Sequence, residues 1–335
     1  MILVTGGLGF LGSHIALSLM AQGKEVVIVD NLSTSNMQIL ERLQYISQRY
    51  VPFVKVDIRN TPALIKVFEQ YSVDTVIHAA GFKSVEESVL KPLEYYNANV
   101  SCMMSLLRAM QQTGIRSLIH LSSLQVYGTS SLRLTEDTPL QYGYDNPYIK
   151  SQQIIENIIT DTFRTDTEWK MVGLRLGNVA GAFEHAILGE TVVQLPKSIV
   201  PLMMQVAIGV REFIELRRKS PDVEETLERS FVHILDVCFA IQLTLKWLST
   251  QQHVLEFFNI GGATISIAEL IKVVEHVTNK PIATIDAQYY FKELEQVGTS
   301  SQKAKTILGW SEQHSVQKII EDQWRFYNQS LKSSS

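Results

Sequence analysis

The first 175 residues alternate between short apolar runs rich in β-branched side chains and longer segments with helical signals. Continuous apolar runs of this length are typical of parallel strands buried on both faces. We predict strands at Ile2 to Val4, Glu25 to Val29, Phe53 to Val56, Asp74 to Ala79, Ser117 to Leu121 and Lys170 to Leu174. Helices are predicted to begin near Phe10, Met37, Pro62, Pro92 and Pro147. Strict alternation predicts right-handed crossovers and therefore an α/β fold with a doubly wound parallel sheet.

Single residues mark several helix boundaries. Gly23 and Gly114 are predicted to end the helices that begin at Phe10 and Pro92, and Thr61 to cap the helix at Pro62. After Leu176 the pattern loosens, with predicted helices at Pro196 to Ile208, Ile234 to Leu248, Ile267 to Val277 and Val316 to Tyr327. We therefore predict a first domain over residues 1–175 and a smaller α/β lobe over 176–331, with segments of the lobe returning to the first domain as an option.

Composition excludes several classes of protein. The net charge is −4 and no block of five like charges occurs, which disfavours nucleic-acid binding by bulk electrostatics. The two cysteines, Cys102 and Cys238, lie far apart without metal-ligand spacing, so we expect neither a disulfide nor a metal site. No apolar stretch is long enough to span a bilayer. We expect a cytoplasmic protein that does not bind membranes.

A glycine-rich turn follows the first predicted strand and opens the first helix. It contains Gly6, Gly9 and Gly12 at three-residue spacing, with Phe10 and Leu11 between the last two. Glycines in this context allow backbone N–H groups to approach a pyrophosphate at a helix N-terminus. The turn therefore predicts a Rossmann-like dinucleotide site. An acidic residue that closes the second strand, Asp30, would bind the ribose hydroxyls and repel a 2′-phosphate, which favours NAD over NADP.

Further candidates follow the third and fourth strands. Asp57 and Ile58 could bracket the adenine, although an aspartate at a strand end also commonly caps backbone N–H groups. The fourth strand ends in the small residues Ala80 and Gly81, which would let a cofactor approach, and Lys83 is a candidate cation for its phosphates or ribose. We interpret His78, in the strand itself, as a packed histidine.

Two polar segments complete the set of motifs. One runs from Leu121 through Ser123 to Gly128, and the other is Asn146-Pro147-Tyr148. With them, the chain resembles the extended short-chain dehydrogenases, the NAD-dependent epimerase/dehydratase family, and most closely the UDP-glucose 4-epimerases among them. The matching residues run almost from end to end: Thr5 to Gly12, Asp30 to Leu32, His78 to Val89, Lys91 to Tyr96, Ser122-Ser123, Val126 to Gly128, Asn146 to Tyr148, Leu174-Arg175, Asn178, Gly181-Ala182, Arg229, Val232-His233, Asp236 and Leu308 to Trp310.

The resemblance implies an NAD-dependent UDP-hexose 4-epimerase that oxidises the sugar transiently at C4. Tyr148 would take the proton of the 4-hydroxyl, and Ser123 would hydrogen-bond the same oxygen and relay the proton. The family places a lysine four residues after this tyrosine, where it lowers the phenol pKa and holds the nicotinamide ribose. This chain has Gln152 there and a lysine only at position 150, on another face of the helix. Glutamine can donate to the ribose but carries no charge, so we expect slowed chemistry.

The resemblance also assigns binding residues. Cofactor contacts are expected from Gly6, Gly9, Phe10, Leu11, Gly12, Asp30, Asn31, Leu32, Asp57, Ile58, Ala80, Gly81, Lys83, Asn99 and Tyr148. Substrate contacts are expected from Ser123, Tyr148, Asn178, Arg229 and Glu293. Tyr290 stands where the family has a phosphate-binding arginine, with Lys292 as a possible substitute, and Val297 at a bulky gatekeeper position would leave room for a 2-acetamido group.

Other functions remain open at this point. Relatives that carry out 4,6-dehydration have Asp-Glu where this chain has Leu124-Gln125, which disfavours that reaction. A protein that binds NAD and a sugar nucleotide without catalysis is the other alternative, because of Gln152. The resemblance further implies a homodimer formed through the helices at residues 92–113 and 147–162. The first of these helices is apolar around its whole circumference, so that either a partner or the domain interior must cover it.

Overall fold

The structure is a computed structural model, and it describes residues 1–128, 133–142, 146–183, 187–190, 198–216, 227–287 and 298–332. The chain divides into two compact units, which we describe separately. The first comprises Met1–Val126, Tyr142–Arg175 and Cys238–Phe258. The second comprises Tyr127–Gln141, Leu176–Val237 and Asn259–Ser335.

Among the described residues, the strands and the helices are each numbered in chain order. The strands are β1 (Ile2–Thr5), β2 (Val26–Asp30), β3 (Phe53–Lys55), β4 (Thr75–His78), β5 (Ser117–Ser123), β6 (Lys170–Leu176), β7 (Asn178–Ala180), β8 (Ile214–Leu216), β9 (Glu228–His233), β10 (Val254–Ile260), β11 (Thr264–Ser266) and β12 (Thr284–Asp286). The helices are α1 (Phe10–Ala21), α2 (Met37–Ser47), α3 (Thr61–Gln70), α4 (Val85–Leu90), α5 (Pro92–Tyr96), α6 (Cys102–Thr113), α7 (Pro147–Phe163), α8 (Ile199–Ala207), α9 (Ile234–Leu248), α10 (Ile267–Thr278), α11 (Gln302–Leu308) and α12 (Val316–Lys332).

A seven-stranded sheet with the order β10-β6-β5-β4-β1-β2-β3 forms the centre of the first unit. In sheet order, the neighbouring strands β3, β2, β1, β4 and β5 pair in parallel. Strands β1 and β2 are buried along their whole length. The predicted doubly wound sheet is therefore confirmed. The chain order reverses between β1 and β4, so the carboxyl ends of these strands flank the crevice in which such folds bind their ligands.

The predicted helix starts are confirmed, with local differences. Asn60, not Thr61, caps α3, because its side chain accepts the Ala63 N–H at 3.2 Å and Thr61 is the first helical residue. The helix that begins at Pro92 continues through a π-helical turn, Asn97–Ser101, into α6 and ends at Gly114, where φ is +76°. The predicted helix at Pro196 begins at Ile199 in the described chain, and Pro196 itself lies outside the described residues.

The core of the first unit covers most of the apolar surface of the helix that begins at Pro92. Met103, Leu107 and Met110 are buried in the core between the sheet and its helices. Leu93 and Met104 are exposed instead, by 78% and 37% of their surface. The domain interior therefore covers one face of this helix, and a second face remains apolar and open.

The second unit holds two small sheets, with strand orders β11-β9-β7 and β12-β8. In the first of these, β9 pairs in parallel with β7 and antiparallel with β11. Its core gathers apolar residues of α8, α10 and α12, including Met203, Leu270 and Ile320. This unit therefore has its own hydrophobic core.

Candidate active site

The glycine turn between β1 and α1 leaves no room for side chains. A Cβ at Gly6, where φ is +62°, would lie 2.7 Å from the Ala80 Cα, and one at Gly12 would lie 2.2 Å from the Gly6 carbonyl oxygen. Gly9, the residue before α1, provides no side-chain cap, and the first turn of the helix has no acidic residue. The positive end of α1 is therefore open to an anion such as a pyrophosphate.

Asp30 connects this turn to the end of β2. Its carboxylate accepts the Leu8 N–H at 3.1 Å, the Leu32 N–H at 2.8 Å and the Ser35 hydroxyl at 2.8 Å. Three donors fix its position, and only 7% of the residue is exposed. An acidic group held beside the glycine turn fits the two hydroxyls of an adenosine ribose and disfavours a 2′-phosphate.

Arg59 is a neighbour of the site that the sequence did not predict. Its Nε and Nη2 donate to the two carboxylate oxygens of Asp57 at 2.9 and 2.6 Å, and Asn31 donates to the same carboxylate at 3.3 Å. The hydrogen bond from Arg59 holds the pKa of Asp57 well below its usual range. Because Asp57 balances the guanidinium charge, Arg59 does not make this corner a site for an extra phosphate.

Asn99 acts on the loop that follows β4. Its Oδ1 accepts the Phe82 N–H at 2.8 Å, and its Nδ2 donates to the Phe82 carbonyl at 3.1 Å and to Ser151 at 3.0 Å. The side chain thus fixes the loop that contains Gly81 and Lys83. The ammonium of Lys83 lies 5.7 Å from the centre of the Phe10 ring, so it is near the open end of α1.

The predicted reactive pair comes together at the carboxyl edge of the sheet. Ser123 ends β5, and Tyr148 lies in the first turn of α7, which Asn146 caps by accepting the Ile149 N–H at 3.1 Å. The Ser123 hydroxyl is near enough to the Tyr148 phenol to act on it: burial raises the pKa of Tyr148, and Ser123 opposes that shift. The pair can pass a proton, but the protein alone supplies little that stabilises a phenolate.

Gln152 is buried one turn after Tyr148, and its Oε1 lies 3.3 Å from Nε2 of His120. His120 belongs to β5 and packs against His78 of β4, with 5.7 Å between the ring centres. Burial lowers the pKa of His120 to about 4 and that of His78 to about 3. Both imidazoles are therefore neutral near pH 7, and neither replaces the charge of a lysine at position 152.

A buried ion pair fixes α7 on the sheet. Glu156 accepts from Arg175 at 3.0 and 2.7 Å and from the Ser122 hydroxyl at 2.7 Å. Gln153, beside Gln152, donates to the Val126 carbonyl at 2.7 Å. These contacts hold the end of β5 and the first half of α7 in one arrangement, so Ser123 and Tyr148 are carried by a rigid frame.

The second unit contributes the other predicted binding residues. Asn178 begins β7 and donates to the Ser230 carbonyl at 3.2 Å, while Arg229 lies in the neighbouring strand β9 and donates to the Glu228 carbonyl at 3.0 Å. Glu293, Tyr290, Lys292 and Val297 lie outside the described residues. Of the predicted substrate contacts in this unit, the structure thus places an amide and a guanidinium on adjacent strands.

Two other matching residues of the second unit have a structural role. His233 Nε2 lies 3.2 Å from a carboxylate oxygen of Asp322, and Asp236 accepts from the ring of His314 at 2.8 Å. The two histidine rings stack with 4.5 Å between their centres. Burial lowers the pKa of His233. These contacts connect β9 to α12, and the start of α9 to the segment just before α12.

Within the described ranges, no helix is long and apolar enough to cross a membrane, and no group of three or more His, Cys, Asp or Glu side chains could hold a metal ion.

A doubly wound sheet with a glycine turn, an acidic residue after β2 and a Ser–Tyr pair after β5 defines a dinucleotide-dependent enzyme of the short-chain dehydrogenase type. Comparison with known proteins agrees. Residues 2–261 match the model of the NAD dependent epimerase/dehydratase family, so the chain belongs to that family.

Curated and solved relatives cover nearly the whole chain. UDP-glucose 4-epimerase 2 of Arabidopsis thaliana is 33% identical, over 100% of this chain and 99% of its own. UDP-glucose 4-epimerase of Neisseria meningitidis is 34% identical, over 97% of this chain and 96% of its own. The crystal structure of UDP-glucose 4-epimerase from Stenotrophomonas maltophila with bound NAD and formylated UDP-arabinopyranose superposes with a TM-score of 0.93, at 30% identity and 99% coverage of both chains.

Proposed function

We propose that this protein is an NAD-dependent UDP-hexose 4-epimerase acting on UDP-glucose and UDP-galactose or on their N-acetyl forms. The observation that carries the proposal is the meeting of Ser123, at the end of β5, and Tyr148, in the first turn of α7, at the carboxyl edge of a sheet that also presents the glycine turn. The relatives that match the chain over its full length are UDP-glucose 4-epimerases, and solved examples bind NAD together with UDP or a UDP-sugar.

The residues present fit NAD. Gly6 and Gly12 leave a cradle that a Cβ would fill, and Asp30 is fixed beside it. When bound, NAD supplies the hydride acceptor and donor for sugar C4 and a positive charge near the phenol. Tyr148 takes the proton of the 4-hydroxyl and later returns it, and Ser123 hydrogen-bonds the same oxygen. Gln152 donates to the nicotinamide ribose in place of the family's lysine.

The expected rate of epimerisation depends on Gln152. Burial raises the pKa of Tyr148, and at position 152 no ammonium counters that shift. Each pKa unit corresponds to ~1.4 kcal/mol and about a tenfold smaller phenolate fraction near neutral pH. We therefore propose an epimerase slower than relatives with lysine at this position, rather than an inactive one, because the cofactor charge remains.

Purified protein incubated with UDP-galactose tests the proposal, with UDP-glucose as the expected product and no added reductant. Gln152→Lys is expected to accelerate this reaction. Gln111→Lys, which adds the same charge on an exposed position of α6, serves as the control. An unchanged rate in Gln152→Lys contradicts the assignment of Gln152 to the site.

Gln152 also favours a second function, which is ligand binding without catalysis. A protein that binds NAD and a sugar nucleotide without turnover would have no need of a lysine at position 152, and the contact of Gln152 with His120 shows that the glutamine is accommodated in the fold. Tight binding of UDP-hexose without turnover in either the natural chain or Gln152→Lys supports this alternative. The dehydratase alternative has no supporting contact, since Leu124 is buried and carries no acid group.

We further propose that the first unit binds NAD and the second binds the sugar nucleotide, with Asn178, Arg229 and Glu293 as contacts. A homodimer is the proposed assembly, because Leu93, Met104 and Ile154 leave apolar surface exposed on α5, α6 and α7, and α5 packs against α7. A reducing compartment such as the cytoplasm suits Cys102 and Cys238, which are both buried and form no disulfide.

A further inference from the structure

A row of buried polar side chains crosses the centre of the sheet at one level. Thr5 of β1 is paired in register with His78 of β4, and His78 with His120 of β5. The Thr5 hydroxyl lies 2.8 Å from His78 Nδ1, and His120 Nε2 lies 3.3 Å from the Gln152 Oε1. The row thus runs from the residue before the glycine turn to the side chain beside Tyr148.

The contact fixes which atom of His120 carries the proton. Nδ1 of His120 is buried without a hydrogen-bond partner. A proton on Nδ1 would leave a buried N–H unpaired, and unpaired N–H groups are rarer in proteins than unpaired acceptors. Since burial also keeps the ring neutral, these surroundings favour the tautomer with its proton on Nε2, which donates to Gln152 Oε1.

The same contact decides how the Gln152 amide is turned. A carboxamide has one acceptor end and one donor end, and either can face a ligand. With Oε1 held by His120, the Nε2 end remains, and no described residue accepts a hydrogen bond from it. A lysine needs no such orientation, because an ammonium donates in every direction that it presents.

We propose that His120 is a positioning residue that holds the Gln152 amide with its NH₂ toward the bound cofactor ribose and Tyr148. The inference rests on the proposed function for the role of Gln152. It adds that a donor at position 152 depends on a second residue, three positions before Ser123 in the same strand, and that the two residues act as a unit.

A double-mutant cycle on NAD affinity tests the inference without requiring turnover. His120→Phe keeps an aromatic ring of similar size and removes the donor. We expect it to weaken NAD binding roughly threefold to tenfold in the natural chain and to have no such effect in Gln152→Lys. Equal losses of NAD affinity in the natural chain and in Gln152→Lys, or no loss in either protein, overturn the inference. His276→Phe, at an exposed position of α10, is the control for loss of a histidine.

Two further measurements test the role of His120 independently of the double-mutant cycle. His120→Gln restores a donor and is expected to recover much of the affinity; if it binds NAD no better than His120→Phe, positioning by hydrogen bonding is overturned. In the unmodified protein, ¹⁵N NMR of the imidazoles is expected to show the Nε2–H form of His120, and an Nδ1–H form overturns the inference even if the variants do not fold. Absence of sugar turnover in every protein rejects the proposed function alone, because the affinity cycle and the NMR signal still decide the role of His120.

Discussion

Arg175 and Glu156 form a buried two-point ion pair, with Nε to Oε1 at 3.0 Å and Nη2 to Oε2 at 2.7 Å. Only 7% and 3% of the two side chains is exposed. The pair joins β6 to the helix that carries Tyr148 and Gln152, so the geometry of the reactive residues depends on a contact outside the site. Removing one partner would leave the other charged group buried without compensation.

Glu156→Gln is therefore expected to destabilise the protein by about 3–5 kcal/mol, measured as the free energy of unfolding in urea. Asp161→Asn provides the comparison, since Asp161 pairs with Arg164 at the surface, where both side chains are largely exposed. Exposed pairs contribute no more than about 1 kcal/mol. Equal losses in the two variants would show that the buried pair does not support α7.

Asp30→Asn is expected to weaken NAD binding roughly tenfold and to improve the relative affinity for NADP, because the variant removes a charged acceptor and its repulsion of a 2′-phosphate. Isothermal titration with the two cofactors measures both effects. Asp74→Asn is the matched control, since Asp74 binds the amino-terminal ammonium at the opposite edge of the sheet. Tighter binding of NADP than of NAD by the natural chain contradicts the role assigned to Asp30.

The pH dependence of turnover should report Tyr148. Burial raises its pKa and Ser123 lowers it, so the phenolate fraction, and with it kcat, is expected to rise as the pH rises above neutrality. Ser123→Ala removes the lowering contact and is expected to move this rise to higher pH. Gln152→Lys adds a cation and is expected to move it to lower pH. Shifts in the same direction for both variants would exclude Tyr148 as the titrating group.

The exposed apolar residues of α5 and α7 predict the oligomeric state. Light scattering is expected to give a dimer mass for the natural chain and a monomer mass for Leu93→Arg combined with Ile154→Arg. Tyr50→Arg changes a residue that is 80% exposed, close to the 78% of Leu93, and is expected to leave the mass unchanged. A monomer mass for the natural chain rejects the proposed dimer.

Local signals explain why much of the fold could be predicted from the sequence. The glycine turn and the helix that begins at Pro147 depend on residues close together in the chain, and both lie where they were expected. The short helix α4 was missed because its signal is a single capping serine, Ser84, before only six helical residues.

Contacts across strands explain what could not be predicted. Gln152, in α7, was identified from its spacing after Tyr148, but its partner His120 comes from strand β5, 32 residues earlier in the chain. Arg59 lies only two residues after Asp57 in the sequence, but the hydrogen bond from Asn31 to the same Asp57 carboxylate requires β2 and β3 to be paired. An apolar pattern reports that a strand is buried, and it carries no information on which polar side chains meet between strands.

Turnover without an external oxidant or reductant tests the central claim most directly. The purified natural chain, loaded with NAD and given UDP-galactose at high enzyme concentration, is followed by ¹H NMR of the anomeric protons. The account predicts slow appearance of UDP-glucose to equilibrium, and faster appearance with Gln152→Lys. No conversion of UDP-galactose, UDP-glucose or their N-acetyl forms by either protein would contradict it.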